Sequence, residues 1–296
     1  MPHRTSQPAK AYSKHYHLGL GFHGFHRLNY LEWGDAGKFN SQETLFCVHG
    51  ITRNARDFDY LAGKLCHKYR IVCPDVVGRG DSDHLDSPDG YNYLQYNADM
   101  NALIARLGVT EVNWIGTSMG GIIGMVLASV PQSPVRRLVV NDIGPEVSRD
   151  ALVSIGEYVG RTGDFDSKKD VEEHLRNIYT EFAPMTDEDW EHIAHYSSRK
   201  TEKGKWRLKA DSQIGEAFRD SISYFNVDMW DTWEKITCPV LVLRGTESSF
   251  LTEETASRML TCGPETTLVE FENTGHTPTL RNDEQVDVIK NWLESC

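Results

Sequence analysis

Short apolar or β-branched runs recur along the chain at TLFCVHG (44–50), RIVCPDV (70–76), VNWIGTS (112–118), RRLVVND (136–142), CPVLVLRG (238–245) and TTLVEFEN (266–273). Such runs, four to eight residues long and bounded by turn residues, read as strands. Between them lie NARDFDYLAGKLCHKY (54–69), YLQYNADMNALIARLG (93–108) and EQVDVIKNWLESC (284–296), which place apolar residues at three-to-four spacing and predict helices. Strands alternating with helices predict an α/β fold built on a doubly wound, mostly parallel sheet. Near the N-terminus HYHLGL and FHRLNYLEW, with GFHG between them, read as an antiparallel pair at one edge. His15, His17, His23 and His26 fall in this pair. Their closeness invites a metal reading, but the alternation favours polar residues on one solvated face.

The alternation stops between about 146 and 234. That stretch is helical and polar-rich (DALVSIGEYVG, KKDVEEHLRNIYTEFA, TDEDWEHIAHYSSRK), and it lies between two core strands. It reads as a helical cap over the strand ends, where open α/β sheets bind ligands. The expected division is a loose tail at 1–14, a core at 15–145 and 235–296, and a cap at 146–234. Tyr158, Tyr179, Phe182, Trp190, Tyr196 and Trp206 give the cap its aromatics. They read equally well as an apolar acyl pocket and as the cap's own core. SKKDVEEH and TDEDWEH read as solvated helix faces.

With 296 residues, 39% of them hydrophobic, the chain can bury a sizeable core. A net charge of −12 argues against broad binding to nucleic acid or anionic lipid. The six cysteines show no CxxC pair and no metal spacing, and several sit in apolar runs; reduced thiols in a cytoplasmic protein are expected. No apolar run approaches the roughly 20 residues of a membrane span. The polar N-terminal stretch has no apolar signal region.

The sharpest chemical signal is VNWIGTSMGGIIGMVLA. A strand runs into Gly116-Thr-Ser-Met-Gly120 and a helix starts at once. A serine on so tight a turn is pushed out of the sheet, beside the positive end of the helix. The plainer alternative is a serine that only caps the turn.

With that motif the chain resembles the α/β-hydrolases from about residue 15 to its C-terminus, closest to a set of bacterial esterases and thioesterases. The resemblance implies Ser118 as nucleophile. CVHGITRN then matches the loop with His49 and Gly50, and implies Ile51 and Met119 as the oxyanion N–H groups. PDVVGRGDSDH matches the family's structural turn from Asp75 to Ser82. ENTGHTPTL implies His276 as the base. The family's usual acid follows the strand CPVLVLRG, but Ser248 stands at that position, with Glu247 one residue before it. RRLVVNDIGP supplies Asp142 at the end of the strand after the serine helix, where some α/β-hydrolases carry their acid. Asp142 is therefore the expected acid and Glu247 the competing one. Ser248 is expected to donate to the Asp142 carboxylate.

The resemblance implies an acyl-enzyme hydrolase (EC 3.1) acting on small-molecule carboxylic esters or thioesters, with an apolar acyl group expected and no metal or organic cofactor. Lactone or C–C bond hydrolysis uses the same serine and histidine. A receptor-like protein that keeps the fold and mainly binds its ligand is the reading from another class.

Overall fold

The computed structural model describes residues 12–295 apart from 181, 183 and 222–226. The chain opens with β1 (Tyr12–Gly21) and β2 (Gly24–Trp33), then β3 (Thr44–Val48), α1 (Asp59–Leu65) and β4 (Arg70–Pro74). Helix α2 (Tyr93–Leu107) leads to β5 (Val112–Thr117), α3 (Met119–Ser129) and β6 (Val135–Asn141). Next come β7 (Glu146–Val147), α4 (Arg149–Tyr158), α5 (Lys168–Ile178), α6 (Asp187–Ser197), β8 (Ser198–Lys200) and β9 (Trp206–Leu208). They are followed by α7 (Gln213–Ser221), β10 (Val227–Asp228) and α8 (Trp230–Trp233). The chain closes with β11 (Val240–Gly245), α9 (Glu253–Met259), β12 (Thr266–Phe271) and α10 (Asp283–Ser295).

Eight strands form one sheet in the order β1-β2-β4-β3-β5-β6-β11-β12. The first two pairings, β1 with β2 and β2 with β4, are antiparallel, and every later one is parallel. The strand order reverses between β3 and β5, so their C-terminal ends open a crevice where such sheets bind ligands. Phe46 and Val48 of β3 face the core built with α2 and α3, while Leu45 and Cys47 face the core built with α1 and α10. Burial on both faces is why these strands read as continuous apolar runs and not as alternating ones. Trp114 of β5 is fully buried, stacks on Phe46 at 5.7 Å between centroids, and donates its indole N–H to the Gly120 carbonyl at 3.0 Å.

The N-terminal hairpin departs from the sequence reading. Strand β1 starts at Tyr12, so residues 12–14 belong to the sheet and not to a tail; residues 1–11 lie outside the described residues. The histidines do not share a solvated face. His17 and His26 are buried, whereas Tyr16, Leu18 and Leu20 are exposed. The cause lies on α2, whose buried Asp99 accepts from His26 Nε2 at 3.0 Å. A side chain at Gly19 would come within 2.3 Å of that carboxylate, so the glycine leaves room for the pair. A buried carboxylate draws the imidazole inward because an unpaired one would be costly.

Helices α5 and α6 each begin with a capping box, Ser167 with Asp170 and Thr186 with Asp189. They close over a small core of their own that includes Val171, Leu175, Tyr179, Trp190 and Ile193. Among the described residues no helix is long and apolar enough to cross a membrane.

The tightest backbone approach in the sheet predicts a contrast between two glycines. A Cβ at Gly120 would lie 2.0 Å from the Val48 carbonyl oxygen, while one at helical, exposed Gly63 meets nothing within 4 Å. Gly120→Ala is expected to lower stability by about 3 kcal/mol or more in urea unfolding. Gly63→Ala should raise it by about 1 kcal/mol.

Candidate active site

Ser118 sits between β5 and α3 with φ 51° and ψ −115°, a left-handed conformation that a non-glycine residue adopts only under constraint. The constraint is visible. Its N–H donates to the Asn141 carbonyl at 3.0 Å, and its own carbonyl accepts from Gly121 at 2.8 Å. Strand and helix meet so closely that a Cβ at Gly116 would lie 2.2 Å from the Gly120 oxygen. Glycine at both positions lets the turn form, and the turn puts the hydroxyl at the crevice.

The loop after β3 carries Ile51 beside this turn. Among the described residues the N–H groups of Ile51 and Met119 have no intramolecular acceptor. Two buried side chains fix this loop. His49 donates from Nδ1 to the Gly50 carbonyl at 2.7 Å and accepts at Nε2 from the Val76 N–H at 3.0 Å. Burial lowers its pKa to about 4, against the Gly50 hydrogen bond that favours the charged form, and Arg79 adds to the lowering. The second is Arg79 itself, fully buried, which donates to the Ile51 carbonyl at 2.8 Å, to the Val77 carbonyl at 2.7 Å and to Met119 Sδ at 3.5 Å. One guanidinium thus touches both residues whose N–H groups stand free. Sequence reasoning placed Arg79 inside a structural turn and missed this link; an arginine between two glycines of that turn was the available signal.

His276 follows β12 and is almost fully buried. Its Nε2 lies 3.1 Å from Ser118 Oγ and its Nδ1 2.7 Å from Asp142 Oδ2. Asp142 directly follows β6, has no exposed surface, and holds a positive φ of 57°. Besides His276 it accepts the Ser248 hydroxyl at 2.6 Å and the Gly245 N–H at 2.9 Å. Ser248 in turn accepts from the N–H groups of Phe250 and Leu251 at 3.2 and 3.3 Å. The tautomer that donates from Nδ1 to Asp142 leaves Nε2 as an acceptor toward the serine hydroxyl. Glu247 is exposed, and its backbone N–H bonds the Thr274 carbonyl. The geometry therefore joins Ser118, His276, Asp142 and Ser248 in one chain and leaves Glu247 outside it.

Two openings lie along the segment that carries His276, one lined by Thr277 and the other by His276 itself. One is a cavity of about 40 Å³ lined by residues including Arg53, Thr117, Tyr179, Thr277 and Arg281. The other is a groove lined by residues including Ser154, Tyr158, Asn177 and Phe250. Phe182 borders both. Tyr179 belongs to the small helical core and also lines the cavity wall. Arg53 and Arg281 were not singled out in the sequence, although each lies inside a stretch that was. Among the described residues no His, Cys, Asp and Glu side chains cluster in a way that would hold a metal ion.

The sequence pattern of the α/β hydrolase fold family matches residues 43–283, and the chain belongs to that family. Relatives over most of its length include two hydrolases, and it is an enzyme of the α/β-hydrolase type. It is 41% identical over 278 residues to the 3-hydroxybutyrate-oligomer hydrolase of Cupriavidus necator, a match covering 91% of this chain and 94% of the relative. It is 25% identical over 229 residues, 77% of this chain and 79% of the relative, to the 2-(acetamidomethylene)succinate hydrolase of Mesorhizobium japonicum. Among solved structures, an α/β hydrolase from Novosphingobium aromaticivorans superposes with a TM-score of 0.85 at 34% identity, covering 97% of this chain and 99% of that one.

The buried neutral His49 makes stability depend on pH. Between its unfolded value of 6.5 and its folded value of about 4, the unfolded chain binds a proton there that the folded chain does not. Its stabilisation is complete above pH 6.5 and is lost as pH falls toward 4. At pH 5 the loss from this group is about 2 kcal/mol. Denaturant unfolding at pH 7 and pH 5 should show a fall smaller by that amount in His49→Gln than in the wild type. Equal falls would show that His49 does not carry it.

Proposed function

We propose that the protein is a serine ester hydrolase that cleaves short oligomers of 3-hydroxybutyrate, or closely related hydroxy-acid esters, through an acyl-enzyme on Ser118. The observation that carries the chemistry is the hydrogen-bonded chain from Ser118 Oγ through His276 to Asp142. The substrate class rests on the Cupriavidus necator relative, 41% identical over 91% of this chain. In this reading His276 Nε2 takes the Ser118 proton as Oγ attacks the ester carbonyl. The unspent N–H groups of Ile51 and Met119 receive the oxyanion, where a lost donor typically costs about 10²–10³ in rate. The leaving hydroxyl departs with the proton from His276. Water then gives a proton to the same imidazole and frees the acyl group, and the route serves thioesters equally. The chemistry asks for no metal or organic cofactor.

Asp142 is the acid in this reading, and the Ser248 hydroxyl keeps its carboxylate turned toward His276. The residues from 146 to 234 act as a cap over the core segments 15–145 and 235–296. Arg79 acts through Ile51 and Met119 and is a positioning residue.

Turnover of 3-hydroxybutyrate dimer and trimer, followed by chromatography of the released acid, tests this. Ser118→Ala should lose activity by at least about 10⁴-fold, and Asp142→Asn by roughly 10³–10⁴-fold because the wrong tautomer faces the serine. Glu247→Gln should stay close to the wild type. Asp142→Asn retaining activity while Glu247→Gln loses it would transfer the acid role to Glu247. Binding of the oligomer without any turnover would favour a receptor.

A further inference from the structure

The cavity lined by the sequence neighbours of Ser118 and His276 holds a donor set that the proposed reaction leaves unused. Thr117 precedes the serine and Thr277 follows the histidine, and both line it together with Arg53 and Arg281. Arg53 belongs to the loop that carries Ile51 and is only 7% exposed. Its Nε and Nη2 bond the two oxygens of Asp57 at 2.9 and 2.6 Å. Its Nη1 is buried with no hydrogen-bond partner. Arg281, between β12 and α10, repeats the arrangement. Its Nε bonds Asp189 at 2.5 Å, and its Nη1 is likewise buried and without a partner.

An arginine does not lose its proton, and a buried N–H left without an acceptor is costly. Each guanidinium is bonded to a carboxylate of the protein, Arg53 through two nitrogens and Arg281 through one, and each side chain lines the cavity with one nitrogen left without a hydrogen-bond partner. Asp57 also lines the cavity, but both its oxygens are held by Arg53. Burial opposes the Arg53 charge, and Asp57 followed by Tyr179 more than offsets it. The ligand that answers two guanidinium nitrogens and neighbouring threonines is a small planar anion with two oxygens, a carboxylate. Size permits it. A space of about 40 Å³ can hold a carboxylate or a few waters.

We propose that Arg53 and Arg281 bind the free carboxylate of the substrate, so that the enzyme removes the terminal hydroxy acid from the carboxyl end of an oligoester. The inference rests on the ester-hydrolase reading above. In a 3-acyloxy acid the carboxylate is attached one carbon from the carbon that bears the ester oxygen. An ester carbonyl on Ser118 therefore brings the carboxylate within a few bonds of Thr117 and Thr277. The ester C–O bond breaks as the Ser118 Oγ–C bond forms, and the serine proton passes through His276 to the leaving oxygen. The product leaves as a hydroxy acid from the arginine cavity. One water then splits the acyl-enzyme, which restores Ser118 and yields the shortened chain with a new carboxylate. The groove lined by Ser154, Tyr158, Asn177 and Phe250 takes the rest of the oligomer.

The test compares kcat/KM for 3-hydroxybutyrate dimer as free acid and as its methyl ester, with p-nitrophenyl butyrate as a carboxylate-free substrate. The wild type should prefer the free acid by roughly tenfold or more, as expected for charge-assisted hydrogen bonds. Arg281→Gln and Arg53→Gln should each cut that acid-to-ester ratio by roughly 10- to 100-fold, mainly through KM, and Arg281→Lys should keep part of it. The ratio is insensitive to general damage, which lowers both rates together. Ser118-dependent turnover of p-nitrophenyl butyrate with no preference for the acid, or a ratio unmoved by Arg281→Gln, would overturn the carboxylate site and leave the ester hydrolase standing. No Ser118-dependent turnover of any of the three would overturn both.

Discussion

The contact on which the site depends is the buried bond between the Asp142 carboxylate and His276. It joins the end of β6 to the loop after β12 across 134 residues of sequence (276 − 142). A carboxylate with no exposed surface is tolerable only if its oxygens are fully engaged. Gly245, the last residue of β11, and Ser248, just beyond it, complete that engagement. Three loops from neighbouring parallel strands are therefore tied to one side chain. Asn141 strengthens the knot by donating to the Thr117 hydroxyl at 3.1 Å and the Pro278 carbonyl at 2.9 Å, which ties in the loop that carries the serine.

On the other side of the serine the same problem is solved with a cation. Arg79 is buried with acceptors from Ile51, Val77 and Tyr96, and no carboxylate bonds its guanidinium among the described residues. Its hydrogen bonds hold the loop after β3 against the first turn of α3, while neutral His49 pins that loop to the chain after β4. The crevice is thus bounded by a carboxyl group bonded to the histidine and a guanidinium bonded to the loop. Arg53 and Arg281 add positive charge at the neighbouring cavity, each held by one acidic partner.

The fold was largely legible in the sequence because strands buried on both faces are continuous apolar runs, and the helices between them keep their period. The hairpin was the exception. In β1 the apolar Leu18 and Leu20 face outward while His17 faces in, because Asp99, some 70 residues later on α2, supplies a buried partner for His26. No periodicity argument within ten residues contains that information. The turn at Ser118 was legible for the opposite reason. Its requirements are local, since a strained φ and close strand–helix packing demand glycines at 116 and 120.

What the sequence by itself determined was therefore the order of elements, the α/β class, and the side chains placed at the strand ends, Ser118, Asp142, Ser248 and His276 among them. Each of these follows from short-range sterics, hydrophobic period and family pattern. The tertiary structure decided which of two carboxylates meets the imidazole. Glu247 is adjacent to the usual position in sequence, yet it points to solvent, while Asp142 is delivered by a different strand. It also decided that arginines 228 residues apart (281 − 53) line one cavity with a nitrogen each to spare. Hydrogen-bond satisfaction is a property of the packed assembly, and a buried donor without a partner has no signature in the chain that carries it.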